Sequence, residues 1–186
     1  MSLSLAGCSS CSKSDPNRTP DAASLVDAAA DVVDAGVEDA SALDESSMPA
    51  MTVSDDLLVR MKHLFEAVTQ DNPDLAMDAL FPRDGYVSVR DVADPQKAWD
   101  NKVSGGYRRA IERTHKRTKG IAHAKFVSFE LGHAMQQVPP KKKDFKKPLW
   151  RVKHSKLTFM IDGKTRHLDV AEMTAWRGNW YVTRLR

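Results

Sequence analysis

Beyond Gly120 the apolar residues of this chain change their period, and that change decides what it can fold into. Upstream, Leu57, Leu58, Met61, Leu64, Phe65 and Val68 recur every three or four residues, as do Val103, Tyr107, Ala110, Ile111 and Thr114. That is the spacing of helices with one buried face. Downstream, Val127, Phe129, Leu131, His133 and Met135 alternate, the spacing of a strand with one buried face. Helices first and strands afterwards predict an α+β domain with helices packed on an antiparallel sheet.

Local signals place the elements. Ser54 is suited to cap a first helix, with Asp55 and Asp56 in its opening turn. Asn72-Pro73 starts a second, short helix, and Pro82-Arg-Asp-Gly85 breaks it. Tyr86-Val-Ser-Val-Arg90 reads as a short strand. Asp94-Pro95 opens a third helix, interrupted at Gly105-Gly106 and ended by Gly120, with Arg108, Arg109, Arg113, Lys116 and Arg117 opposite its apolar stripe. Asp162-Gly163 and Gly178-Asn179 are two-residue hairpin signals. The first sets Leu157 against Leu168, Lys156 against Asp169 and Lys153 against Glu172. The second sets Trp176 against Tyr181. Trp150 and Val152 are out of phase with Leu157, Phe159 and Ile161, so a bulge or bend is required near residues 154–156, and the sheet is expected to be strongly curved.

The first fifty residues have a different character. They hold nine acids against Lys13 and Arg18, whereas residues 51–186 hold 26 basic and 16 acidic side chains, so the overall +3 is the sum of −7 and +10. No aromatic residue precedes Phe65, and an Ala/Asp/Val-rich run buries too little apolar area to offset the entropy of ordering. Residues 1–50 therefore read as a disordered tether and residues 51–186 as the folded domain. No apolar run of about 18 residues exists, so no helical membrane span is expected.

Leu5-Ala6-Gly7-Cys8 resembles the bacterial lipobox, which implies lipid attachment at Cys8 and a lipid-anchored address in the cell envelope, with the domain in the periplasm or at the cell surface. Several acyl chains make such anchoring stable where one would be marginal. Only seven residues precede Cys8, fewer than a charged start and apolar stretch need. Met1-Ser2-Leu3 reads as a leader replacing the natural start, and the chain so begun would be neither exported nor acylated. A redox or metal role for Cys8 and Cys11 lacks the helix N-terminus or second ligand pair that it needs.

The order of elements over residues 52–186, with Asp78-Ala-Leu-Phe-Pro-Arg-Asp-Gly85 and the closing Trp176-Arg-Gly-Asn-Trp-Tyr-Val-Thr-Arg-Leu185, resembles the nuclear-transport-factor-2-like (cystatin-like) superfamily. The resemblance implies a bent sheet wrapped round a long helix, leaving a cone-shaped pocket. Such folds host isomerases, dehydratases, hydrolases and non-catalytic binding or dimerisation modules, so fold does not select function.

In enzymes of that kind a cone-facing acid or histidine does the proton transfer. His133, in phase with Phe129 and Leu131, and Glu172, in phase with Leu168 and Val170, are the candidates. The alternatives are an ordinary exposed histidine and a cross-strand ion pair of Glu172 with Lys153. No nucleophile triad, phosphate loop or metal-ligand spacing is present, and neither metal nor cofactor is expected. Trp99, Tyr107, Phe129, Trp176 and Tyr181 are pocket-lining candidates or simply core. Lys141, Lys142, Lys143, Lys146 and Lys147 surround Phe145 in a basic loop that suits an anionic envelope surface, with Phe145 placed to dip into a membrane interface.

Three functions follow as expectations: a non-catalytic module binding a small apolar ligand or a protein, with a homodimer as one form; a small isomerase- or dehydratase-like enzyme; and an adapter for anionic surfaces. Nucleic acid would suit the charge, but the envelope address argues against it.

Overall fold

The structure, a computed structural model, describes residues 47–140 and 145–186. Cys8, residues 1–46 of the tether and Lys141–Lys143 lie outside the described residues. Helix α1 (Asp55–Thr69) begins as its sequence dictates, with Ser54 Oγ accepting from Leu57 N at 3.2 Å. Its stripe of Leu57, Met61, Leu64, Phe65 and Val68 is buried. Each such side chain contributes about 1.5–3 kcal/mol by leaving water. Phe65 meets Phe126 and Phe159 of the sheet at centroid distances of 5.9 and 5.8 Å. Arg60 is buried in the same helix, where Nη1 donates to the Trp180 carbonyl at 2.9 Å and Nη2 to Asp56 at 2.7 Å.

The Asn72-Pro73 signal yields a single 3₁₀ turn, Pro73–Ala76, capped by Asn72 Oδ1 on Asp74 N. The next residues run beside the last strand. Val182 N donates to Ala79 O at 2.8 Å, and Phe81 N donates to Val182 O at 2.9 Å. Residues 79–81 thus cover a sheet edge that would otherwise expose unpaired backbone.

Residues 86–90 are not a strand: helix α2 (Arg83–Val89) takes their place. Alternating valines favour extension, but helical spacing puts Gly85, Tyr86 and Val89 on one buried side. Gly85 also lets the helix approach closely, since a Cβ there would lie 3.0 Å from the Trp176 ring. Tertiary contact has overridden local β preference.

The third helix runs continuously as α3 (Pro95–Ala98), a π-helical turn (Trp99–Ser104) and α4 (Gly105–Arg117). The helix is not interrupted at Gly105-Gly106, which open α4; its irregularity is the π turn just before them, closed by Gly105 N bonding Asp100 O. With the three segments counted as one rod, the described residues contain three helices and a curled, unclosed five-stranded antiparallel sheet. Val103, Tyr107, Ala110 and Ile111 are buried as their spacing requires. Gly120, at φ 77°, follows the helix end and opens a 3₁₀ turn (Ile121–His123).

The strands are β1 (Lys125–Glu130), β2 (Met135–Val138), β3 (Leu149–Ile161), β4 (Lys164–Trp176) and β5 (Asn179–Arg184). Their order is β1-β3-β4-β5, with β2 also pairing with β3. The single long strand expected from residue 127 to 135 is therefore two short ones. A register shift between Phe126 and Ser128 leaves Val127 49% exposed. Between β1 and β2, Gly132 lies so close to β3 that a Cβ would be 2.0 Å from Lys153 O.

Asp162-Gly163 forms the expected turn, with φ of 49° and 73°, and sets Leu157↔Leu168, Lys156↔Asp169 and Lys153↔Glu172. The second hairpin turns one residue earlier than read, at Arg177-Gly178, with φ of 48° and 75°. Trp176 accordingly faces Asn179 rather than Tyr181. The slip is two residues in pairing, so side chains from Met173 to Trp176 keep their expected face; beyond a register shift at Met173, Glu172 faces Arg184. The phase change in β3 falls at His154, whose φ is 58°. Buried positions pass there from Val152 to Ser155, Leu157 and Phe159. Upstream of α1, Pro49 is buried and Trp180 Nε1 donates to Ala50 O at 2.9 Å, so ordered packing starts before residue 51.

Candidate functional site

Among the described residues a cleft of about 330 Å³ opens where α2 and the π turn lie against the open end of the β3–β4 hairpin. It falls at the small end of the range of about 300–1,000 Å³ typical of small-molecule sites. Phe81, Tyr86, Val89, Val103, Phe145 and Leu149 give it apolar walls. Arg90, Lys102, Arg184 and Glu172 are its charged lining, and Thr174 and Thr183 supply hydroxyls.

Each group has a local cause. Arg90 follows the last turn of α2, and its guanidinium lies 4.5 Å from the centroid of Phe145 and 5.1 Å from that of Tyr86. Lys146 N donates to Val89 O at 2.8 Å, and Arg90 bridges to Phe145 in antiparallel fashion, which ties this segment to the helix end. Lys102 and Val103 reach the cleft from the π turn. Such turns are rare because the wider ring weakens packing along the axis, and they recur at functional positions. Leu149 opens β3, and Glu172 and Thr174 lie on β4 beside it.

Glu172 does not pair with Lys153, although the two are opposite in the ladder. Its Oε2 takes a hydrogen bond from Arg151 Nη1 at 3.2 Å, with side chains 24% and 13% exposed. Thr183 Oγ1 donates to the Glu172 carbonyl at 3.1 Å. Arg151 Nε is buried without a hydrogen-bond partner. The Glu172 carboxylate is thus already engaged by a guanidinium within the fold. His133 is exposed in the β1–β2 connection and faces no interior. The alternation that predicts an inward side chain there is lost at Gly132.

None of the five aromatic candidates lines this cleft. Tyr107 is core, its hydroxyl donating to Ala76 O at 2.9 Å. Burial, with a smaller effect of the Asp78 carboxylate, pushes its phenol far above the ordinary range, so it remains a structural donor. Phe129 and Trp176 are buried. Trp99 is half-buried and donates to Phe81 O at 2.8 Å. Tyr181 carries Arg60 over its ring at 4.6 Å. Phe81 packs edge-on against both Trp176 and Tyr181, standing between this aromatic core and the cleft.

Lys146 and Lys147 are exposed. Phe145 is not available to enter a membrane: it is half-buried and lines the cleft. Among the described residues no group of three His, Cys, Asp or Glu side chains could hold a metal ion, and no helix is long and apolar enough to cross a membrane.

No family model matches the chain, and no match is found among curated proteins or solved structures. The chemistry of the cleft must therefore be read from its own residues. It offers an apolar slot, cations at its edge and one carboxylate already committed to an arginine, an arrangement for holding a ligand. Sequence reasoning missed Arg90, Lys102 and Arg184 because the helical form of residues 83–89 and the π turn bring them together. The Asp94-Pro95 start signal was legible; the change of helical pitch after it was not.

Proposed function

We propose that residues 51–186 form a non-catalytic binding domain of a lipid-anchored cell-envelope protein, with a nuclear-transport-factor-2-like cone whose open end takes a small ligand. The ligand has an apolar body, set against Phe81, Tyr86, Phe145 and Leu149, and an anionic end drawn to Lys102 and Arg184. The observation that carries this reading is the cleft itself, an apolar slot with these two cations and Arg90 in its lining and Glu172 engaged by Arg151. Cys8 would supply the anchor and residues 1–50 the leash, as the lipobox resemblance and the composition of that segment suggest.

The test is titration of the full chain with decanoate, followed by calorimetry, beside the variant Leu149→Trp, which fills the slot. Wild type should bind and the variant should lose at least about tenfold in affinity, the cost of excluding a few methylenes from an apolar site. Equal binding by both proteins, or none by either, would remove the cleft from the function. For the anchor, the chain fused to a complete signal peptide should incorporate labelled palmitate in a bacterial host, and Cys8→Ala should not.

A further inference from the structure

A second surface, away from the cleft lining, gathers cations that the molecule does not neutralise. Three shallow grooves run into one another at the end of α4. One is lined by Arg109, Glu112, Arg113, Lys116 and Arg117. The next shares Arg117 and adds Lys119, Arg166 and His167 over the buried Phe159. The third shares Lys116 and Lys119 and continues to His123. Six cations thus face two acids, Glu112 and Asp162, the latter reaching toward Gly120.

Four arginines elsewhere are paired: Arg60 with Asp56, Arg83 with Asp100, Arg108 with Asp74 and Arg151 with Glu172. Among the described residues, Arg113, Lys116, Arg117, Lys119 and Arg166 enter no ion pair. Arg109, Arg113 and Arg117 succeed one another at intervals of four along α4, where like charges repel and weaken a helix. The helix dipole favours cations in the last turn only, which accounts for Lys116 and Arg117 but not for Arg109, Arg113 or Arg166. Arg109 Nη2 donates to Asn101 O at 3.4 Å and so braces the π turn, but folding alone gives no reason for Arg113 or Arg166.

We propose that this strip is an interaction surface for an anionic phospholipid membrane. From Arg109 to Arg117 it extends about 12 Å along the helix, and it continues across to β4, a span suited to several phosphates rather than one. No exposed aromatic ring lies along it to stack on unpaired bases, which a single-stranded nucleic-acid platform requires. The grooves are shallow and Ile121 is buried, so contact is electrostatic, at the head-group level, without insertion of side chains. Such a surface would lay the domain on the bilayer by charge alone.

The test is sedimentation of the full chain with vesicles of phosphatidylcholine, with and without phosphatidylglycerol, across a salt series. Binding should require the anionic lipid and fall as salt rises. The triple reversal Arg113→Glu, Lys116→Glu, Arg117→Glu should lower partitioning at least about tenfold, whereas Lys146→Glu with Lys147→Glu should leave it near wild type. Thermal melting reports whether each variant folds; if the triple variant does not, Lys119→Glu with Arg166→Glu tests the other flank of the strip. Binding indifferent to lipid charge, or undiminished in a folded reversal variant, overturns the proposal. So does tighter binding to a short DNA duplex than to anionic vesicles, which would assign the strip to nucleic acid.

Discussion

Between Lys164 and Val170 strand β4 is exposed or alternates, whereas from Met173 to Trp176 four successive residues are buried. Successive strand side chains point to opposite faces, so β4 is covered on one side toward the turn and on both at the open end of the β3–β4 hairpin. At the turn end Leu157, Phe159 and Leu168 are buried in the common core, while Lys156, Thr165 and His167 look outward. At the open end Val152, Met173 and Val182 are fully buried in that core, and the opposite face meets Phe81, α2 and the π turn. The cleft exists where this second cover does not close. A two-layer structure has no place for a small ligand; a third layer fitted imperfectly makes one.

The two ends are joined at a crowded point, and the largest expected effect lies there. Gly132 packs its α-carbon against β3, with no room for a Cβ beside Lys153 O. Gly132→Ala should cost about 3 kcal/mol, the upper part of the usual range for overpacking, in urea unfolding. A loss below about 1 kcal/mol would mean that the connection yields freely and does not set the bend.

Truncations should then separate the ends. Leu157→Ala opens a sealed void in the core and should cost about 2–5 kcal/mol. Leu149→Ala removes the same atoms from a wall of the cleft, where they leave little new enclosed space. Its cost should be smaller, about 1–2 kcal/mol, the transfer of the lost methylenes without most of the cavity. Equal losses would show that the cleft is closed in solution.

A third measurement probes the helical layer. Tyr107→Phe deletes a buried hydrogen bond to Ala76 O and should cost about 1 kcal/mol near neutral pH. The wild-type phenol holds its proton above its ordinary value, so the folded chain stays protonated where the unfolded chain ionises. Stability due to this group is complete below about pH 10 and declines as pH rises beyond it, by up to about 1.4 kcal/mol per unit. Tyr107→Phe should show a shallower decline above pH 10. Parallel slopes would refute the burial assigned to that hydroxyl.

The two ends also differ in how far they can be read. Alternation makes the turn end legible: it puts Leu157, Phe159 and Leu168 on one face and Asp162-Gly163 at the turn, and the pairing follows. The phase break at residues 154–156 is visible too, since Val152 and Leu157 cannot share a face in a regular strand. Where both faces are buried, alternation carries no information, and Leu149 and Thr174 give no sign of bordering a cavity. Tyr86-Val-Ser-Val-Arg90 has the composition of a strand, and it is helical because that form buries Tyr86 and Val89 and sets Gly85 against Trp176. Arg90, Lys102 and Arg184 are distant in sequence and belong to three elements, so no spacing could join them. His133 shows the opposite failure, a regular pattern extended too far past a glycine.

The smallest effect tests the bend from its other side. His154 has φ 58°, a left-handed conformation that costs an L-residue about 1–2 kcal/mol relative to its ordinary regions and glycine far less. Its ion-pair contact is Nδ1 to Asp169 Oδ1 at 3.9 Å, with the imidazole 68% exposed. A contact so long and so solvated offsets little of that cost. His154→Gly should therefore raise stability, by about 0.5–1 kcal/mol after the greater entropy of glycine in the unfolded chain is counted. Gly163, at φ 73°, supplies the converse, because a Cβ added there would meet nothing within 4 Å. Alanine at that position encounters no clash, only the backbone penalty, and Gly163→Ala should lose about 1 kcal/mol. Gains and losses of opposite sign at the two positions would establish that the hairpin is bent by backbone strain at one end and turned without side-chain cost at the other. A loss on His154→Gly would mean instead that the imidazole holds the bend, and that the phase change between the two ends depends on a side-chain contact.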